Sequence, residues 1–179
     1  MTKLLLSLLT ILAIFQICGA QIRSVDWKNF TYPWYPADTR PPYRARKITL
    51  FNGEFQVGAN RRRNIENLWV TFSNVTYADL TGDGRDEAIV VINGIETFNS
   101  GTGCIFIYTM SRSKLRLLWQ HETGDRGMGG LKELKIVNRD LLVEQYEGNT
   151  CMACTDRWRR TLYRWDGRRF RVAKSQAFS

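Results

Sequence analysis

The chain has one histidine, His121, in 179 residues, and only four cysteines and four prolines. A single imidazole leaves one candidate for a Ser–His or Cys–His pair, so nucleophilic catalysis of that kind has little to draw on. Long apolar runs are scarce too. The stretch from Leu4 to Ile17 is the most continuous, and it falls short of the roughly 20 residues that span a bilayer comfortably. Helical periodicity is also missing: no segment repeats apolar residues at helical spacing over three clean turns. Acidic residues are in deficit, 17 against 26 Lys and Arg, which gives a formal net charge of +9. Such a balance favours contact with anionic surfaces, whether phospholipid, acidic polysaccharide or nucleic acid.

Residues 1–20 combine basic Lys3, the apolar stretch and a small-residue exit, Cys18-Gly19-Ala20. That is the three-part plan of a secretory signal peptide. Cleavage after Ala20 leaves Gln21 as the new N-terminus and places the product in a secreted or periplasmic location. Lipid attachment at Cys18 is disfavoured, because Ile17 stands where a lipoprotein signal wants a small residue. No other segment is apolar enough for a transmembrane helix. Residues 21–46 are rich in Pro, Tyr, Trp and Arg, with prolines at 33, 36, 41 and 42. Proline removes a backbone donor and fixes φ, so this stretch is expected to be an extended arm. Its Trp27, Phe30, Tyr32 and Trp34 are expected to pack on the main body, the alternative being an aromatic ligand platform.

Residues 47–179 read as one all-β domain. Asn52-Gly53 sits between short apolar runs in "KITLFNGEFQV", a hairpin signal. "LWVTFSNVTYADL" alternates, and "EAIVVI" is an unbroken apolar run of the kind found in buried strands. Three further pairs of runs flank Ser111 to Lys114, Asn138 to Asp140 and Asp166 to Arg168. Each reads as a hairpin. The spacing predicts two antiparallel, blade-like four-stranded sheets that cover each other's apolar faces, as a β-sandwich or partial propeller, with the N-terminal arm laid on them.

The segment "DLTGDGRDE" (Asp79 to Glu87) places side-chain oxygens at Asp79, Thr81, Asp83 and Glu87, with the Arg85 carbonyl between the last two. Calcium wants six to eight oxygens from a flexible cage, and Gly82 and Gly84 allow the tight dihedrals such a cage needs. The alternative is that Asp79 and Asp83 accept backbone N–H groups and hold a turn without metal. The loop resembles the Asp-x-Asn/Asp-Gly-Asp-Gly-x-x-Asp/Glu element of FG-GAP and VCBS-type repeats, a calcium-bearing loop between propeller strands. The resemblance implies Asp79, Thr81, Asp83, Arg85 (through its carbonyl) and Glu87 as weak Ca2+ ligands, with Thr81 departing from the usual Asn or Asp. Residues 68–179 also resemble small exported bacterial proteins with one such loop and a terminal Tyr-Arg-Trp-x-Gly hairpin. A closed propeller needs several blades, and this chain has one copy of the loop.

After signal cleavage three cysteines remain, Cys104, Cys151 and Cys154. In an oxidising compartment an odd number implies one disulfide and one free thiol, or an intermolecular link. Cys151–Cys154 is the expected bridge, and a bridge from Cys104 to one of them is the alternative. A zinc site from these thiolates and His121 has the right ligand types, but export argues against it. His121 is expected at a surface or rim. Arginines cluster at Arg157, Arg159, Arg160, Arg164, Arg168, Arg169 and Arg171, either as a solvated face that protects a sheet edge or as a patch for anionic surfaces. Nucleic acid is the less favoured partner for an exported chain. Together these features point to an exported, non-enzymatic, calcium-binding β-domain with a binding or structural role in the envelope or outside the cell. The alternatives are an envelope hydrolase using carboxylates among Glu133, Asp140, Glu144 and Glu147, or a basic adaptor for anionic glycan or lipid.

Overall fold

The fold was analysed in a computed structural model that describes residues 21–34, 46–58, 68–96, 101–124, 130–147 and 156–179. Residues 1–20, expected to be a signal peptide, and Cys151 and Cys154, expected to form a disulfide, lie outside the described residues. Among the described residues eleven strands run in chain order: β1 (Thr31–Trp34), β2 (Arg46–Thr49), β3 (Glu54–Val57), β4 (Leu68–Ala78), β5 (Glu87–Glu96) and β6 (Gly101–Ser111), then β7 (Lys114–Gly124), β8 (Leu131–Val137), β9 (Asp140–Tyr146), β10 (Trp158–Trp165) and β11 (Phe170–Phe178). They form a two-stranded ribbon β1-β2, a five-stranded sheet β3-β4-β5-β6-β7 and a four-stranded sheet β11-β10-β9-β8. Every strand pair within these sheets is antiparallel. The protein is all-β, and the larger sheet has one strand more than the turn spacing predicts.

The fifth strand comes from the Asn52-Gly53 turn. The turn forms, with both residues at positive φ and with Phe51 N donating to Glu54 O at 2.8 Å. The flanking strands then part instead of continuing as a hairpin. β2 pairs with β1 (Tyr32 opposite Ile48), and β3 pairs with the edge of β4 (Phe55 opposite Val70). Burial explains the split. Ile48 and Leu50 join Tyr32 and Trp34 in the core that the ribbon shares with one face of the five-stranded sheet, so the turn carries the chain from one layer to the next.

The five-stranded sheet is the middle of three layers. Side chains alternate between faces along a strand, so β5 sends Ala88, Val90 and Ile92 to one side and Ile89 and Val91 to the other. β6 does the same with Cys104, Phe106 and Tyr108 against Ile105 and Ile107. This is why "EAIVVI" is apolar without a break. The first face packs on Ile22, Trp27, Tyr32 and Trp34 of the arm. The second packs on Leu141, Val143 and Phe170 of the four-stranded sheet.

The arm's aromatics therefore act as core. Trp27 and Phe30 have ring centroids 5.0 Å apart, and Tyr32 lies 5.2 Å from Phe106. The buried polar tips are satisfied: Tyr32 Oη donates to Trp27 O at 2.6 Å, and Trp27 Nε1 donates to Tyr77 Oη at 3.0 Å. Pro33 fits inside β1 because a two-stranded ribbon leaves one edge without ladder partners. Among the described residues no helix is long and apolar enough to cross a membrane.

Candidate functional site: a cleft at the basic end of the two sheets

The acidic loop joins β4 to β5 and is closed by its own donors. Asp79 Oδ1 accepts the N–H groups of Gly82 (2.6 Å) and Asp83 (3.1 Å), and Oδ2 accepts that of Gly84 (3.1 Å). Glu87 is buried and reaches back under the loop. Its Oε2 accepts Leu80 N at 2.9 Å and Thr81 N at 3.1 Å, while Oε1 accepts the Thr109 hydroxyl at 3.0 Å. Burial pushes this carboxyl above the usual range, against the pull of those donors. Asp83 accepts Arg85 N at 3.0 Å and is gripped by the Arg85 guanidinium. Partial burial works against ionisation of Asp83, yet Arg85 holds its carboxyl below the ordinary value.

The positive φ of Gly82 and Gly84 turns the loop's N–H groups inward. The three carboxylates thus face three different donor sets. Among the described residues no group of three His, Cys, Asp or Glu side chains is placed to hold a metal ion. The donor set fits a self-closed turn, with Arg85 as the cation beside Asp83, better than it fits a calcium cage.

This loop sits at the end of the molecule where other turns arrive. Strand direction puts the β6–β7 turn beside it. The β8–β9 turn of the other sheet touches it, since a Cβ added at Gly82 would meet Arg139 Nη1 at 2.7 Å. The β10–β11 turn follows Trp165, which shares a cleft with loop residues. That cleft has a volume of about 220 Å³. Thr81, Asp83 and Arg85 form its loop side, Thr109 and Ser111 of β6 with Arg116 and Leu118 of β7 form its sheet side, and Trp165 closes it from the second sheet.

Cations crowd this end. Arg112, Lys114, Arg116, Arg139, Arg168 and Arg169 are all exposed. None of their side chains enters an ion pair among the described residues. Arg85, Arg164 and Arg171 belong to the same end but are paired, with Asp83, Asp140 and Asp166 respectively. Arg164 holds Asp140 below the ordinary carboxylate range, and Arg171 does the same for Asp166, helped by backbone donors.

The arginine cluster read from sequence accordingly divides. Arg164, Arg168, Arg169 and Arg171 stand at the turn end. Arg157, Arg159 and Arg160 lie just before or near the start of β10, roughly 13–23 Å from Arg164 at the rise of an extended strand. There Arg159 pairs with Glu147, and Arg160 pairs with buried Glu144 at 2.7 Å. Glu144 also accepts Lys132 Nζ at 2.7 Å; burial opposes its ionisation, and the two cations outweigh it. Sequence reasoning missed Arg112, Lys114, Arg116 and Arg139 as members of the basic end. Their only signal was placement in or beside short turns, and topology brings those turns together.

His121 is not at a rim. It is half-buried between the two large sheets, stacked on Trp119 at 5.1 Å and hydrogen-bonded to Gln145 at 2.5 Å. Burial pushes its imidazole below the ordinary value. Cys104 is a free, buried thiol on the opposite face of the central sheet, pushed up to about 12 by burial. The two cannot share a metal. Each carboxylate considered for hydrolysis is already held by a cation: Glu133 pairs with Lys135, Asp140 with Arg164, Glu144 with Lys132 and Arg160, and Glu147 with Arg159. Compared with protein-family models, with curated proteins and with solved structures, the chain finds no match in any of the three.

Proposed function

We propose that this chain is an exported, non-enzymatic β-domain that binds an anionic partner through the turn end of its two large sheets. The observation that carries the reading is the set of six exposed cations, without acidic partners among the described residues, at the turn end that holds the cleft, with Arg116 in its lining. Backbone geometry supports it. Arg112 and Arg139 occupy positive-φ turn positions, where a bulky residue costs about 1–2 kcal/mol and Gly or Asn fits more easily. Cations at such positions argue for a use beyond the turn itself. Export is supported by the three-part N-terminal segment.

The acidic loop serves this reading as a brace that fixes Thr81, Asp83 and Arg85 at the cleft. A second reading, calcium in the loop, is favoured by the alternate placement of Asp79, Thr81, Asp83 and Glu87 along the chain. It requires Asp83 to leave Arg85. The binding proposal is tested by amide chemical-shift mapping with dextran sulfate as a generic polyanion. Shifts are expected in 79–86, 111–114, 138–140 and 166–169. Shifts confined to 157–160 would move the interface to the other end.

A further inference from the structure

Six cations without ion-pair partners among the described residues would attract any polyanion, so selectivity has to come from the cleft at the same end, which Arg116 lines. Its volume of about 220 Å³ is below the roughly 300–1,000 Å³ of pockets that take drug-sized ligands. One ring with its substituents fills it. The lining is mixed in a specific way. Trp165 offers an aromatic wall, braced from behind by Phe170 at 5.2 Å between ring centroids. Arg116 brings a guanidinium with no carboxylate partner among the described residues. Ser111 brings a hydroxyl, Thr81 brings one that donates to Glu87 Oε1 at 3.4 Å and keeps its acceptor side, and Asp83 brings an anion already held by Arg85.

We infer that this cleft takes a carboxylate-bearing sugar unit of an acidic polysaccharide, with Arg116 on the carboxylate, Ser111 and Thr81 on hydroxyls, and Trp165 against the ring. This rests on the reading of the turn end as an anion-binding surface. Arginine presents a planar fork that matches a carboxylate with two parallel hydrogen bonds. Asp83 disfavours a second negative charge on the loop side and accepts a sugar hydroxyl there, which fixes the orientation of the ring. The cations at the turn tips, Arg112, Arg139, Arg168 and Arg169, then meet the neighbouring acidic units of the polymer.

Two other anionic partners fit less well. A membrane surface is gripped by apolar side chains that enter the headgroup region, whereas these turn tips are Arg112-Ser113, Asn138-Arg139 and Gly167-Arg168. Single-stranded nucleic acid needs successive aromatic platforms for its bases, whereas the cleft has one half-buried tryptophan.

The test is titration calorimetry of the chain lacking residues 1–20 with short oligogalacturonate, with neutral malto-oligosaccharide of equal length, and with vesicles of phosphatidylcholine and phosphatidylglycerol. The parent is expected to bind oligogalacturonate and not the neutral sugar. Affinity is expected to fall at least tenfold in Arg116→Gln, an exposed site where the fold should persist, and to fall in Ser111→Ala. Equal affinity of parent and Arg116→Gln would overturn the inference. Binding of dextran sulfate or of the anionic vesicles without binding of oligogalacturonate would overturn it too, while leaving the anionic-partner reading standing. Binding to none of these probes would overturn both.

Discussion

Glu87 shows how one side chain can look like a ligand and act as a brace. Its spacing from Asp79 and Asp83 is that of a cation-binding loop, and nothing in the sequence says where its oxygens point. In the fold it opens β5, lies fully buried, and accepts two backbone N–H groups and a threonine hydroxyl. Glu87→Gln keeps the size but turns one acceptor into a donor that faces other donors. A buried donor left without an acceptor costs about 1–3 kcal/mol, so Glu87→Gln is expected to lose stability of that order in denaturant unfolding. A loss of less than about 0.5 kcal/mol, the range of ordinary surface substitutions, would mean that the loop does not depend on these bonds. Arg116 and Arg139 illustrate the opposite failure of sequence reading. Each is an unremarked cation in its own segment, and only the three-dimensional meeting of turns gives it company.

Strands and turns were far more legible than side-chain roles. The three hairpins around residues 111–114, 138–140 and 166–168 form where the turn residues place them, because short polar turns between apolar runs fix the strand ends and the register next to the turn, although each pair shifts register farther along. The Asn52-Gly53 turn also forms, but its strands part, since local turn chemistry cannot tell which layer will bury Ile48 and which will take Phe55. The acidic loop is the element whose chemistry is most open to direct test. If its donors already satisfy it, thermal unfolding in several millimolar calcium and in chelator should coincide. A bound ion would add about 2.7 kcal/mol at 100 times its dissociation constant, a shift of several degrees for a domain of this size. Such a shift in the parent, lost in Asp83→Ala, would establish the calcium reading instead.

At the scale of the whole molecule, antiparallel strand order decides where charge collects. Consecutive strands reverse, so the β4–β5 loop and the β6–β7 turn share one end of the central sheet. Contact between Gly82 and Arg139 places the β8–β9 turn of the second sheet at that same end. Composition gave a net charge of +9 without a location; the topology supplies one. Cations at the far end, such as Arg159 and Arg160, are spent on Glu147 and Glu144, which leaves them less to offer a polyanion. A surface of unpaired cations binds by displacing counterions and screening-sensitive attraction, so its affinity must fall steeply with salt. The most direct measurement is the affinity for dextran sulfate, titrated against salt concentration, in three forms of the protein. These are the parent, a turn-end variant carrying Arg112→Gln, Arg139→Gln and Arg168→Gln, and a far-end variant carrying Arg157→Gln and Arg159→Gln. The expected result is weaker binding and a shallower salt dependence in the turn-end variant, with the far-end variant close to the parent. Equal losses in both variants, or a loss in the far-end variant alone, would contradict the assignment of the binding surface to the turn end.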